Sequence, residues 1–487
     1  MSQSENQPAT AVKPAATQTT AYVERGDDGY RKTMSNFQIQ MISIGGAIGT
    51  GLFLGLGSRL HAAGPALLLA YAATGAVAYL LMRAIGELVM HRPTTGSFVS
   101  WAREFFGDRL AHLTGWIMVI LGSLLGIVEV AAVSVYVQYW WPEIPAWIPA
   151  LVAWCLIVGS NLFSARMFGF IEVGASSIKI IALLLFIGAG ILLVLVGGPM
   201  GLPTEASVTN LFNDGFFTNG VLVVALVSQG VVFSYSGVEL SAVAAGEAKD
   251  ARKVMPKAIR SIVFRIVVFY LGSVLVLSML LPTSRYSAEE SPFVTALAAF
   301  DIPWLGAVMN FVVLTAAVSG INATLYATVR ALRTLAANGE APRFAEKVNR
   351  RGVPVGALAG IGGFYFLGVL MTALFGGASV FELALGACAV CILILWITIF
   401  ACQLRLRQHQ DTGRLPSVDF RMPGAPLTSW IGILALAAVF LSMVLPGSSE
   451  TWWLSLTGTA ILLAAITVGY EINRRRPSKA RPSVVGQ

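Results

Sequence analysis

Five glycines fall within eleven residues, at positions 45, 46, 49, 51 and 55, in the segment Ser43-Ile-Gly-Gly-Ala-Ile-Gly-Thr-Gly-Leu-Phe-Leu-Gly55. Each glycine inside a helix costs about 1 kcal/mol relative to alanine. The run has two readings. One is a face of small residues for close helix packing. The other is a helix that unwinds partway, so that N–H groups at the start of its second half can bind a carboxylate. The density of the run favours the second. A similar interruption, Phe233-Ser-Tyr-Ser-Gly-Val-Glu239, breaks another apolar stretch.

Three ionisable residues lie deep in apolar surroundings: Glu129 in Gly126-Ile-Val-Glu-Val-Ala-Ala132, Lys179 in Ser176-Ser-Ile-Lys-Ile-Ile-Ala182, and Glu239. A charge in such a place faces a cavity or a partner, because facing hydrocarbon is costly. Lys179 has the alternative of snorkelling to an interface. Glu239 has that of a structural bond at its helix break. Glu129 is the deepest and reads as functional. Thr315-Ala-Ala-Val-Ser-Gly-Ile-Asn322 sets Thr315, Ser319 and Asn322 along one helix face, to line a cavity or to bond across helices. Cys388 and Cys391 form a CxxC with no second pair or nearby histidine, so the spacing reads as helix packing rather than a metal site. The four histidines are scattered, and no nucleophile–base pair marks an enzyme.

The elements that hold these residues follow from composition. Of the 487 residues, 56% are hydrophobic and 12% charged, with a mean hydropathy of +0.73. A soluble domain carries about 25% charged residues. This much apolar surface needs a bilayer, so the fold class is an all-α polytopic membrane protein. About twelve apolar runs are long enough to cross: 37–58, 65–86, 113–138, 146–164, 177–197, 220–245, 262–282, 304–329, 356–375, 380–404, 428–446 and 452–472.

Residues 1–30 are polar and read as a disordered cytoplasmic tail, 31–404 as a ten-helix core, and 405–427 as a cytoplasmic loop. Residues 428–472 read as two added helices and 473–487 as a basic tail. Twenty-eight of the 33 lysines and arginines fall on the side of the two termini, against Arg59 and Arg285 in outside loops. That asymmetry places both termini in the cytoplasm. It also explains the net charge of +8 without nucleic acid.

Several motifs carry a resemblance. Gly45-Gly-Ala-Ile-Gly-Thr-Gly-Leu-Phe53, Ala63-Gly-Pro65, Met82-Arg-Ala-Ile-Gly-Glu-Leu88, Ala245-Gly-Glu247, Met255-Pro-Lys-Ala-Ile259 and Ser291-Pro-Phe293 are similar to bacterial amino acid permeases. These belong to the amino acid transporter family of the amino acid–polyamine–organocation superfamily. Among them, Arg92-Pro-Thr-Thr-Gly-Ser-Phe-Val-Ser100, Ala336-Ala-Asn-Gly339 and Ala401-Cys-Gln-Leu-Arg-Leu406 look most like L-asparagine permeases. Glu129 and Trp141-Pro-Glu-Ile-Pro-Ala-Trp147 look more like permeases for aromatic amino acids or 4-aminobutyrate.

The resemblance implies two inverted five-helix repeats plus two helices, in the cytoplasmic (inner) membrane of a bacterium. It implies uptake of an amino acid driven by the proton gradient, with no cofactor or metal. The substrate carboxylate would sit at Gly49, Thr50 and Gly51. Its ammonium would meet carbonyls near Ala47 and at Phe233 and Ser236, with Phe233 as an aromatic gate. Lys179 and Glu239 would serve proton coupling. Asparagine is the leading substrate; aromatic amino acids, 4-aminobutyrate and alanine, glycine or serine are alternatives, and a sensor or channel is the rival class. The sequence leaves oligomeric state open.

Overall fold

The computed structural model describes residues 48–92, 97–162, 165–196, 205–239, 251–300, 303–349, 352–444 and 452–475. The chain opens on two short helices, α1 (Thr50–Phe53) and α2 (Gly55–Ala63). Next come α3 (Leu67–His91), the short α4 (Ser97–Phe106), α5 (Asp108–Gln138), α6 (Trp147–Asn161), α7 (Ala165–Val196) and α8 (Val221–Ser234). Helix α9 (Ala251–Arg265) runs through a wider π turn, Ile266–Leu271, into α10 (Gly272–Leu280). After α11 (Pro292–Ala298) follow the long α12 (Pro303–Ala337), α13 (Val355–Phe375) and α14 (Gly377–Asp411). The last two helices are α15 (Leu427–Val444) and α16 (Trp452–Arg475).

Among the described residues, eight helical stretches are long and apolar enough to cross a membrane, and α6 and α8 are shorter apolar helices. The outer faces of the bundle carry exposed Leu185, Leu195, Leu222, Leu374, Leu434 and Ile461. Such a surface suits hydrocarbon, where helices satisfy their own backbone groups. The chain is an all-α, multi-pass membrane protein.

Helix α5 is the central pillar and lies against α12 and α14. Small residues let the neighbours close in. Tyr365 of α13 occupies the space a Cβ on Gly126 would need, and its hydroxyl donates to the Gly122 carbonyl at 3.2 Å. Thr328 of α12 fills the place beside Gly122. Close approach of this kind drives helix association in lipid.

Two helices outrun their apolar runs. Helix α12 continues past 329 to Ala337, and α14 past 404 to Asp411, so the expected loop at 405–427 begins as helix. Hydropathy marks where a helix leaves hydrocarbon, whereas backbone hydrogen bonding continues beyond it. Arg59, expected in an outside loop, lies within α2 and is buried.

The side holding the expected cytoplasmic loops is cross-braced. Glu87 of α3 is fully buried, with Arg407 Nε at 2.6 Å, Gln403 Nε2 at 3.1 Å and the Met422 N–H at 2.8 Å. Ser429 of α15 donates to Gln403 Oε1 at 2.6 Å, and Arg83 stacks its guanidinium 4.0 Å from the Phe420 ring centroid. Helix α4 is held by Arg103 to Glu340 and by His91 to Glu104 at 2.8 Å. Burial pushes the Glu104 carboxyl up, but His91 and Arg92 beside it outweigh that and hold it below its ordinary value.

Candidate functional site

The described part of the glycine run begins at Ile48 and is irregular there; the residues before it, on the other side of the expected break, lie outside the described residues. Gly49 is extended (φ −123°, ψ −168°), α1 lasts one turn, and Leu54 (φ −115°, ψ −50°) separates it from α2. A helix start leaves its first N–H groups without intrahelical partners. Thr50 is 1% exposed, and its Oγ1 has no hydrogen-bond partner among the described residues. A buried hydroxyl in that condition costs about 1–3 kcal/mol. It is therefore an unused donor beside the break. Ala47 lies outside the described residues.

The second interruption meets the first. Helix α8 ends at Ser234, and the chain turns through residues 235–237, with Gly237 at φ 91°, a left-handed conformation that glycine tolerates. A Cβ placed on Gly51 would stand 2.8 Å from the Phe233 ring and 2.9 Å from Ser234 Cα. The ring that the resemblance makes a gate is thus seated on the first break. Phe233 is 4% exposed, whereas Ser236 is half-buried. The Phe233 carbonyl accepts the Ser236 N–H at 2.9 Å.

Glu129 closes the third side. A Cβ on Gly320 of α12 would lie 2.8 Å from its Oε1, and one on Gly49 would lie 3.8 Å from the same atom. The carboxyl group therefore sits between the first break and α12, and Gly320 makes the room. Ser319, beside Gly320, is buried. Asn322 lies farther along α12, and its Oδ1 accepts from Asn161 Nδ2 at 2.8 Å, which ties α12 to α6. That is the cross-helix alternative for this residue. An amide oxygen has two lone pairs, so this bond leaves room for a second donor.

Lys179 is 2% exposed inside the protein, so the snorkelling alternative fails. Its helix, α7, lies against α10 and α12. Glu239 is 2% exposed and accepts from Trp396 Nε1 of α14 at 3.4 Å, a bond across to another helix. The four cysteines are free; Cys155 is exposed and Cys388, Cys391 and Cys402 are buried.

Gly320 was not legible from sequence as part of this cluster, because its role is defined by the carboxylate opposite. Arg59 was also missed. Its Nη2 meets Glu382 Oε2 of α14 at 2.6 Å and its Nη1 the Gly55 carbonyl at 2.9 Å, while Gly230 of α8 leaves space for the guanidinium. A single arginine amid an otherwise uncharged glycine-rich stretch was the available signal.

The meeting of these two interruptions inside a bundle of apolar helices is the arrangement in which secondary transporters build a substrate site. The amino acid permease family profile matches residues 38–478, and the chain belongs to that family. It is 42% identical to the L-asparagine permease of Salmonella typhimurium over 466 residues, 93% of each chain. It is 41% identical to the L-asparagine permease of Escherichia coli over 452 residues, covering 92% of this chain and 90% of that one. It is 41% identical to L-asparagine permease 2 of Mycobacterium tuberculosis over 462 residues, 94% of each.

Proposed function

We propose that this permease takes up L-asparagine, or a neutral amino acid like it, together with protons across the inner membrane of a bacterium, with both termini in the cytoplasm. The observation that carries the substrate is similarity to proteins named for asparagine along nearly the whole chain. In this reading the carboxylate rests on the Gly49–Thr50–Gly51 N–H groups and takes the unused Thr50 hydroxyl as donor. The ammonium meets carbonyls around Ala47, Phe233 and Ser236. Movement of Phe233 off Gly51 opens the site. Glu129 meets the side chain: protonated it donates to an amide oxygen, and ionised it repels an acidic substrate.

Lys179 supplies a fixed positive charge inside the bundle, and with Glu239 it carries the proton linkage. A carboxylate against the first break also suits 4-aminobutyrate or an aromatic amino acid, which the sequence around Glu129 favours. Uptake of labelled asparagine into proteoliposomes under an imposed proton gradient, challenged with unlabelled amino acids, tests both. Saturable uptake displaced best by asparagine is expected. Displacement by 4-aminobutyrate or phenylalanine but not asparagine would overturn the substrate.

A further inference from the structure

The last four carbonyls of a helix need partners outside its own ladder, and at the end of α8 all four can be traced. The Val231 and Val232 oxygens accept the Tyr235 N–H at 3.3 and 3.1 Å, and the Phe233 oxygen accepts that of Ser236. The Ser234 oxygen differs. It accepts the hydroxyl of Tyr270, on the π turn that follows α9, at 2.9 Å. Ser234 is also gripped through its side chain, with Oγ 3.1 Å from the Tyr71 hydroxyl of α3 and 3.0 Å from the Gly230 oxygen. The Tyr235 hydroxyl in turn donates to the Tyr71 carbonyl at 3.0 Å.

The three rings form one cluster, with centroids 4.4 Å apart for Tyr235 and Tyr270, 5.9 Å for Tyr71 and Tyr235, and 6.0 Å for Tyr71 and Tyr270. All are at most 1% exposed. Gly75 of α3 admits the Tyr235 hydroxyl, which would lie 2.9 Å from a Cβ there. The π turn holds Tyr270 itself. Such turns re-aim side chains and recur at functional sites.

We propose that Tyr270 is a positioning residue for substrate binding: its hydroxyl fixes the Ser234–Tyr235 peptide, and so sets where the neighbouring Phe233 and Ser236 carbonyls point. This rests on the reading that those carbonyls receive the substrate ammonium. Ser234 is one residue from Phe233 and two from Ser236, so a rotation of its peptide moves both. Without the tyrosine hydroxyl the Ser234 carbonyl is buried and unsatisfied, and the peptide turns to find another donor. Tyr71 grips only the side chain of the same residue and has the lesser influence.

The test is transport kinetics in proteoliposomes for Tyr270→Phe, Tyr71→Phe and Tyr286→Phe. Tyr286 is the control, a buried tyrosine whose hydroxyl donates to the Leu277 carbonyl at 2.7 Å, away from the break. Tyr270→Phe is expected to raise KM for asparagine about tenfold with kcat within about twofold, Tyr71→Phe to raise it about threefold, and Tyr286→Phe to leave it unchanged. An unchanged KM in Tyr270→Phe, or an equal rise in Tyr286→Phe, overturns the inference. If Tyr270→Phe does not accumulate, Tyr71→Phe decides alone, and a wild-type KM there overturns it. Gly51→Val separates the underlying site reading. Normal uptake by that variant refutes the site itself, whereas its inactivity beside an unchanged KM in Tyr270→Phe refutes only the positioning role.

Discussion

The Phe233 ring occupies the space into which any side chain at position 51 would grow: a Cβ on Gly51 would stand 2.8 Å from that ring. Gly51 and Phe233 belong to the two interrupted helices, so this contact joins the two breaks.

Gly51→Val is therefore expected to abolish uptake while the protein still inserts and purifies as a folded species. Overpacking of this kind costs about 1–3 kcal/mol, and here it falls on the substrate site. Gly51→Ala should lower uptake about tenfold or more. Initial rates in proteoliposomes, normalised to inserted protein, provide the check, and wild-type rates in Gly51→Val would refute the arrangement.

Proton coupling predicts that a protonophore collapses accumulation and that removing sodium leaves it intact. Lys179→Ala is expected to lose concentrative uptake while retaining substrate binding by thermal shift. Strict sodium dependence of the wild-type protein would end this reading.

Glu129 and Gly320 give a paired prediction. Glu129→Gln keeps shape and removes titration, so it should flatten the pH dependence of transport. Glu129→Asp withdraws the carboxylate and should reorder competing amino acids. Gly320→Ala, whose Cβ would press on the same carboxylate at 2.8 Å, should alter that ranking too. Identical pH profiles and rankings in all three would make Glu129 a packing residue.

Arg59 and Glu382 form an ion pair whose side chains are 8% and 32% exposed. Removing one partner leaves the other charge poorly compensated. Arg59→Ala should lower the melting temperature more than the Arg59→Ala, Glu382→Ala double variant does, and the partial exposure of Glu382 keeps the coupling to about 1 kcal/mol. Additive losses in a double-mutant cycle would show the pair to be energetically idle.

Glu104 predicts an acid-sensitive contact. Its folded-state carboxyl titrates below the ordinary 4.5. The stabilisation is therefore present above that value and is lost as pH falls through the lowered one. Hydrogen exchange in Ser97–Phe106 should rise on strong acidification, and Glu104→Gln should raise it already at neutral pH. Flat exchange across that range would remove the role assigned to His91 and Arg92.

The sequence made the apolar spans legible because lipid imposes one simple demand on a helix. It made both breaks legible because glycine and serine at mid-run contradict that demand. It did not reveal Gly320, Gly126 or Gly230, whose meaning is the side chain opposite: Glu129, Tyr365 and Arg59 in turn. Lys179 stood open between surface and interior until its burial was known. Asn322 shares a helical face with Ser319, and the sequence could not show that Asn161 of α6 stands across from it. Periodicity assigns a face but does not name the neighbour.

The buried Glu87 carboxylate gives α15 a standing it would not have as an appendage. It takes Gln403 and Arg407 from α14, but the Met422 N–H comes from the segment leading into α15, and Ser429 of α15 orients Gln403. A chain shortened at Asp411 would keep the charge and lose part of what neutralises its burial. Splitting the protein there is thus an amputation rather than a trim: the released tail should retain affinity for the remainder, and a severed pair expressed together should reassemble through Glu87.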